Sequence, residues 1–333
     1  MHVTIYDVAK RAGVAASTVS KYMNHGVLRN DVKKRVEEAI AELNYIPNEL
    51  ARGLKTLKSF TIGIIIPTLD SSFTAQIISS IEKNLQQYGY GIIICDCDGQ
   101  RELELERLNF LSHKLVDAYI LLPSTLNSND LKTLDKTIIL FDKPIENFAC
   151  DTVLINNEQA GYTATKYLLE RGHRDIAIFL GGTGVYTSDL RYQGFLRAFQ
   201  EYGLTPNPDF IIHTDYTVNV SYEMTLELMK KEKTPTAIFT TNSSTTMGCV
   251  MALNYLHLSI PEEISVIGFD NLIMAKISNP SLTIISQPLT AIGEKIANLL
   301  LSRISGNTEK PITSIMDFDL IEGSSVKRLT KTI

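Results

Sequence analysis

The sequence predicts an all-α helix-turn-helix headpiece joined to an α/β two-lobed body, and three observations predict it. Residues 4 to 24, TIYDVAKRAGVAASTVSKYMN, hold two short amphipathic helices around a glycine turn. From Phe60 on, apolar runs of strand length alternate with stretches of helical spacing. Charge divides at the same place: residues 1 to 59 carry ten Lys and Arg against six Asp and Glu, and residues 60 to 333 carry 22 against 31. A basic small domain on an acidic body offers one end to a polyanion.

The chain of 333 residues is long enough for two or three domains, and its 44% apolar and 21% charged content is that of a globular protein. No apolar run has the length of a membrane span, and Met1 to Gly13 lacks an apolar signal region, so a cytoplasmic protein with no membrane partner is expected. Cys95, Cys97, Cys150 and Cys249 lack zinc-site spacing and are expected to be thiols.

In the headpiece, Thr4 and Asp7 form a capping box that opens the first helix, with Ile5, Val8 and Ala9 on one face. Gly13 supplies the turn, and Val14, Val19 and Met23 give the second helix its apolar side. A third helix starts at Asn30 or Asp31 and carries Val36, Ala39, Ile40 and Leu43 at helical spacing. It ends before Pro47, which forces its predecessor out of the α region. Residues 48 to 54, NELARGL, are capped by Asn48, but two turns of helix order only against a partner.

TIYDVAKRAGV, TVSKYMN, AELNYIPN and ARGL occur in that order, and the sequence resembles the LacI/GalR family of bacterial transcription regulators. The resemblance implies a helix-turn-helix DNA-binding domain at 1–46, a hinge helix and linker at 47–59, and a periplasmic-binding-protein-like effector and dimerisation domain at 60–333. It implies base reading by Ala16, Ser17 and Lys21 of the second helix, with Thr18, Ser20 and Asn24 nearer the DNA backbone. Tyr6, Asn48 and Ala51 complete the contacting set, and Leu54 is expected to wedge into the minor groove. Ala16 offers only an apolar contact, so Ser17 and Lys21 carry the hydrogen bonding. Ala15 stands where the family often has a capping serine, which leaves the start of that helix open, with Ser17 as a cap only if the start shifts.

In the body, TIGIIIPT, GYGIIICDCD, DAYILLP and IILFD read as strands, separated by helices over Phe73–Tyr88 and Arg101–Leu115. A second series follows: a helix over Glu158–Arg171, DIAIFLGG, a helix over Arg191–Tyr202, DFIIHT, a helix over Val220–Lys231, AIFTTN, a helix to Leu256, and SVIGFD. A helix over Ala291–Ile304 and a strand SIMDFDLIEG close the chain. By resemblance the lobes are discontinuous, about 60–157 with 289–318, and 158–288 with 319–333, crossing near Asn156, Gln287 and Asp319.

Ligands of such sheets bind at the carboxyl ends of the strands. Those ends hold Asp70, Phe73, Asn156, Arg191, Asn242, Asp270 and Gln287, a set that hydrogen-bonds hydroxyls and stacks on a sugar's apolar face. The resemblance carries effector binding onto Phe73, Arg191, Asn242 and Asp270 in particular. Ser243 and Asn156 replace aspartates frequent in the family, which favours a neutral or anionic effector: a sugar, sugar acid or phosphosugar.

Catalysis is not expected. Gly181-Gly182-Thr183-Gly184 has no lysine to complete a phosphate loop, His173 sits in a helix-to-strand turn, and no nucleophile elbow or HExxH occurs. No catalytic residue, metal or cofactor is assigned. The expected function is repression of carbohydrate-utilisation genes, by a homodimer on a pseudo-palindromic double-stranded operator, since no leucine heptads follow Val326. The alternatives are control by a protein co-repressor and a sugar-binding transport component, the latter disfavoured by the basic headpiece.

Overall fold

A computed structural model of the chain describes residues 3–23, 26–45, 58–270 and 272–329, and it divides into two compact units, Met1–Phe60 and Thr61–Ile333.

In the first unit α1 spans Ile5–Ala12, with both halves of the Thr4/Asp7 capping box formed. Gly13 ends it at φ 67°, a left-handed conformation in which a Cβ is strained. Helix α2 spans Ala16–Met23, and the Ala15 carbonyl accepts from the amides of Thr18 and Val19. Alanine has no side-chain oxygen, so this helix begins without the usual hydroxyl cap. Helix α3 spans Asn30–Leu43 and ends at Asn44, also left-handed. Val8, Ala9, Ala12, Val19, Val36 and Ala39 make a small core, and Arg11 of α1 pairs with Glu42 of α3 at its surface.

The second unit holds two six-stranded sheets. The first contains β1 (Thr61–Ile66), β2 (Gly91–Asp96), β3 (Ala118–Leu121), β4 (Thr137–Phe141), β5 (Asp151–Ile155) and β11 (Thr313–Met316), in the order β11-β5-β4-β3-β1-β2, all parallel. The second contains β6 (Ile176–Leu180), β7 (Ile211–His213), β8 (Ala237–Thr240), β9 (Ser265–Phe269), β10 (Thr283–Ser286) and β12 (Asp319–Ile321), in the order β12-β10-β9-β8-β6-β7, with only β12 antiparallel. Strands β3, β5, β6, β8 and β9 are buried along their whole length, as strands covered on both faces require.

The intervening helices are α4 (Ser72–Gln86), α5 (Arg101–His113), α6 (Ser128–Leu131), α7 (Asn157–Glu170), α8 (Tyr186–Glu201), α9 (Val218–Met229), α10 (Ser243–Tyr255), α11 (Leu272–Ile277) and α12 (Leu289–Ile304). The chain passes between the sheets after β5, after β10 and again between β11 and β12. Arg303 of α12 grips Asp151 at the start of β5 through two bonds of 2.6 and 2.9 Å, which anchors the returning segment.

Four sequence expectations change. SIMDFDLIEG is two short strands in different sheets, because the chain leaves the first sheet after Met316 while its apolar alternation continues. DTVLI forms a fifth strand that the sequence reading passed over, and LIMAKI forms α11. Helix α8 starts at Tyr186 rather than Arg191: the glycine turn ends at Gly184, and Asp189 in the first turn suits a helix N-terminus. Arg191 therefore lies in its second turn.

Candidate functional site

Helix α2 packs through Val19, which is fully buried, and leaves Ser17 and Lys21 exposed on one face four residues apart. Thr18 and Ser20 are half-buried beside them. Ala16 is also half-buried and packs on the headpiece core, so its methyl is partly spent there. Tyr6 of α1 is 73% exposed. Asn24, Asn48, Ala51 and Leu54 lie outside the described residues.

In the second unit, close helix packing fixes the arginine. A Cβ on Gly161 of α7 would stand 2.0 Å from the Arg191 carbonyl oxygen, and one on Gly194 of α8 would stand 1.9 Å from that of Glu158. These two glycines let α7 and α8 approach until Arg191 Nε donates to Asn157 Oδ1 at 2.8 Å. Its Nη1 donates to the Thr241 carbonyl, and its guanidinium carbon lies 3.8 Å from the centre of the Phe269 ring. Arg191 is 4% exposed and does not pair with Asp189. Tyr216 closes in from the end of β7: its hydroxyl is 3.3 Å from Thr241 Oγ1, and its ring occupies the space a side chain at Gly181 would need.

Asp270 follows β9, is buried, and accepts from Gln287 Nε2 at 2.8 Å and from the Gln287 amide at 3.3 Å. Burial pushes its carboxyl up to about 6, against the opposing pull of Arg191 and the Gln287 bonds. Gln287 Oε1 is buried with no hydrogen-bond partner. Gln287 borders a cavity of about 10 Å³, the room of a single water, together with Phe73, Phe141, Asp142 and Ile155.

Asp142 is the residue that the sequence reading missed. It follows β4 and is half-buried, and burial raises its pKa while Arg191 lowers it. The signal was present as a repeat: ILFD closes β4 and IGFD closes β9. In both, the aspartate is left-handed (φ 65° and 56°) and its amide donates to the neighbouring strand, Asp142 to Val153 O and Asp270 to Ile285 O.

Phe73, Arg191, Asp270 and Gln287 thus come together with Asp142. Asn156 and Asn242 do not border the cavity, and their amide oxygens are engaged elsewhere. Each is an N-cap, Asn156 Oδ1 accepting from the Gln159 amide of α7 and Asn242 Oδ1 from the Thr245 amide of α10. Asp70 is exposed and does not border the cavity. His173 is structural: its ring bridges Thr236 Oγ1 and the Lys327 carbonyl, and burial pushes it down to about 4. The four cysteines are free thiols, and among the described residues no helix is long and apolar enough to cross a membrane.

Comparison with known proteins adds a family context. Residues 4–48 match the model of bacterial regulatory proteins, lacI family, and residues 165–326 match the periplasmic binding protein-like domain. An HTH-type transcriptional repressor PurR of Histophilus somni is 35% identical over 332 residues, covering 98% of this chain and 99% of the relative. The Lac repressor dimer bound to operator and the anti-inducer ONPF has the same fold, with a TM-score of 0.85 at 24% identity over 98% of this chain and all of that one. A LacI family regulator of Enterococcus faecium with bound ribose is 28% identical, with a TM-score of 0.74 over 81% of this chain and all of that one.

Proposed function

Because the chain belongs to the lacI family of bacterial regulatory proteins and is a DNA-binding transcriptional repressor, we propose that it represses carbohydrate-utilisation genes from the cytoplasm, as a homodimer whose operator affinity is set by a sugar-like effector. The dimer places two copies of α2 in successive major grooves of a pseudo-palindromic operator. Ser17 and Lys21 read base edges there, Thr18, Ser20, Asn24 and Tyr6 contact the flanking backbone, and Ala16 makes an apolar contact. Asn48, Ala51 and Leu54 act from the hinge.

One observation carries the effector half of this reading: Asp142, Asp270 and Gln287 at the strand ends of both sheets gather with Phe73 of α4 and Arg191 of α8 into one largely buried cluster. Arginine, carboxylates and an amide suit vicinal hydroxyls, and Phe73 supplies an apolar face. The ribose and operator complexes of the related proteins agree with a sugar in this cleft and with a dimer on DNA. The exposed Met251, Tyr255, Ile273 and Ile277 of α10 and α11 give a second copy an apolar surface to cover. Lobes of about 60–157 with 289–318 and 158–288 with 319–333 then move about the three crossings, and that motion alters hinge pairing.

Fluorescence anisotropy with DNA from upstream of the gene tests the DNA half. Lys21→Ala should weaken binding and also narrow the gap between the best site and its single-base variants by about 1–3 kcal/mol at one position. Uniform weakening on every sequence would make Lys21 a phosphate contact instead.

A further inference from the structure

We infer that Gly26 is a positioning residue for Lys21: its bare Cα gives the lysine stem a surface to lie on, and so sets where the ammonium meets a base. The inference rests on the reading of Lys21 as a base-reading side chain and adds the residue that aims it.

Lys21 stands in the last turn of α2, and the chain folds back onto that turn directly afterwards. The Gly26 amide donates to the Lys21 carbonyl at 2.8 Å. A bond reaching back five residues is of the kind that closes a helix C-terminus, and it satisfies a carbonyl left without a donor inside the helix. It also brings residue 26 against the side chain of residue 21.

A Cβ on Gly26 would stand 2.5 Å from Lys21 Cγ, 2.8 Å from the Lys21 carbonyl oxygen and 3.2 Å from Lys21 Cε. The three nearest atoms all belong to one residue, and two are methylenes of its stem. Carbon atoms rest about 3.5–4.0 Å apart, so a side chain at 26 cannot share this space with the stem. Exposure along the loop agrees: Gly26 is half-buried, whereas Val27, next in the chain, is 87% exposed.

This contact prepares Lys21 for DNA. A lysine side chain carries about 2 kcal/mol of rotamer entropy, and a stem already laid down loses less of it on binding. Among the described residues no hydrogen bond or ion pair takes up the ammonium. In a helix the χ1 of a long side chain has two wells. A Cβ at 26 would meet Cγ, the first atom that χ1 moves, so swinging the tip relieves nothing. Either the stem turns to its other well or the loop leaves the end of α2. Both displace the ammonium, while Ser17, one turn earlier on the same face, keeps its place.

A double-mutant cycle of the full-length chain tests this, with Gly26→Ala, Lys21→Ala and the double variant. Binding to DNA from upstream of the gene and to its single-base variants is read by fluorescence anisotropy, and unfolding by circular dichroism. The position at which Lys21→Ala loses discrimination is the one that Lys21 reads, and Ser17→Ala marks the Ser17 position in the same way. Gly26→Ala should cut discrimination at the Lys21 position by about tenfold. It should leave the Ser17 position within about twofold. In the Lys21→Ala background it should alter discrimination nowhere, and its cost in stability should shrink, because two of the three atoms that a Cβ would meet are gone.

Unchanged discrimination at the Lys21 position, or equal effects of Gly26→Ala with and without the lysine stem, would overturn the inference, make Gly26 a helix-end residue only, and leave the base-reading assignment standing. Should Gly26→Ala fail to fold, the double variant decides: recovery of the fold supports a clash with the stem, and continued misfolding places the clash at the carbonyl and overturns the inference. If Lys21→Ala weakened every sequence alike, the base-reading assignment would fall and the inference with it.

Discussion

The ends of β4 and β9 repeat one backbone pattern, and they differ in the side chain two residues beyond each phenylalanine's strand partner. Phe141 pairs with Val153 as Phe269 pairs with Ile285, and each following aspartate takes a left-handed turn. Two residues beyond those partners the first sheet has Ile155 and the second has Gln287. Gln287 holds Asp270 with its backbone amide and its side-chain amide, whereas the Ile155 side chain has no donor to offer Asp142. One end is thereby held by two hydrogen bonds, and at the other no side-chain hydrogen bond to the Asp142 carboxylate is seen among the described residues. Repetition of backbone does not entail repetition of chemistry.

The largest expected effect comes from removing what the two ends share. Arg191→Ala takes away the cation acting on both carboxylates and strands Asn157 and the Thr241 carbonyl, so urea unfolding at pH 7 should show a loss of about 3–5 kcal/mol. A loss under about 1 kcal/mol would mean that the two ends do not depend on it.

Next is the pH dependence of the Asp270 end. Asp270 is raised to about 6 from 3.8, so its contribution to stability is fully present below pH 3.8 and is lost as pH rises through 6. Asp270→Asn does not titrate, and its stability relative to the parent should climb across that window by up to about 3 kcal/mol, then level off. A difference independent of pH would contradict the raised value.

Gln287→Ile converts the second end into a copy of the first. With the side-chain donor gone Asp270 should titrate above 6, and unfolding should show a loss of about 1–3 kcal/mol. The reciprocal change, Ile155→Gln, should have the smallest effect on stability, within about 1 kcal/mol, while carboxyl NMR shows the Asp142 pKa falling. An unmoved Asp142 would mean that residue 155 does not control it.

Much of this was legible in the sequence where the signal is local. The capping box at Thr4, the stop at Gly13 and the inward Val19 follow from helical period and cap chemistry, and the long apolar runs of β1, β6 and β9 read as covered parallel strands. What escaped depends on register or on competing roles. Asp142 gains meaning only when β4 is laid beside β9, and Asn156 and Asn242 fit a ligand site and an N-cap equally well until the helix behind them is seen. The split of SIMDFDLIEG between sheets leaves no mark in its alternation, because both halves are edge strands with similar patterns.

The link between cleft and operator is the most direct point of test. Operator affinity should be measured with and without a saturating sugar, and sugar affinity with and without saturating operator. Coupling through one two-state body requires the two factors to be equal, and both should fall toward one in Asp142→Asn. Equal operator affinity with and without a sugar that demonstrably binds would contradict the account.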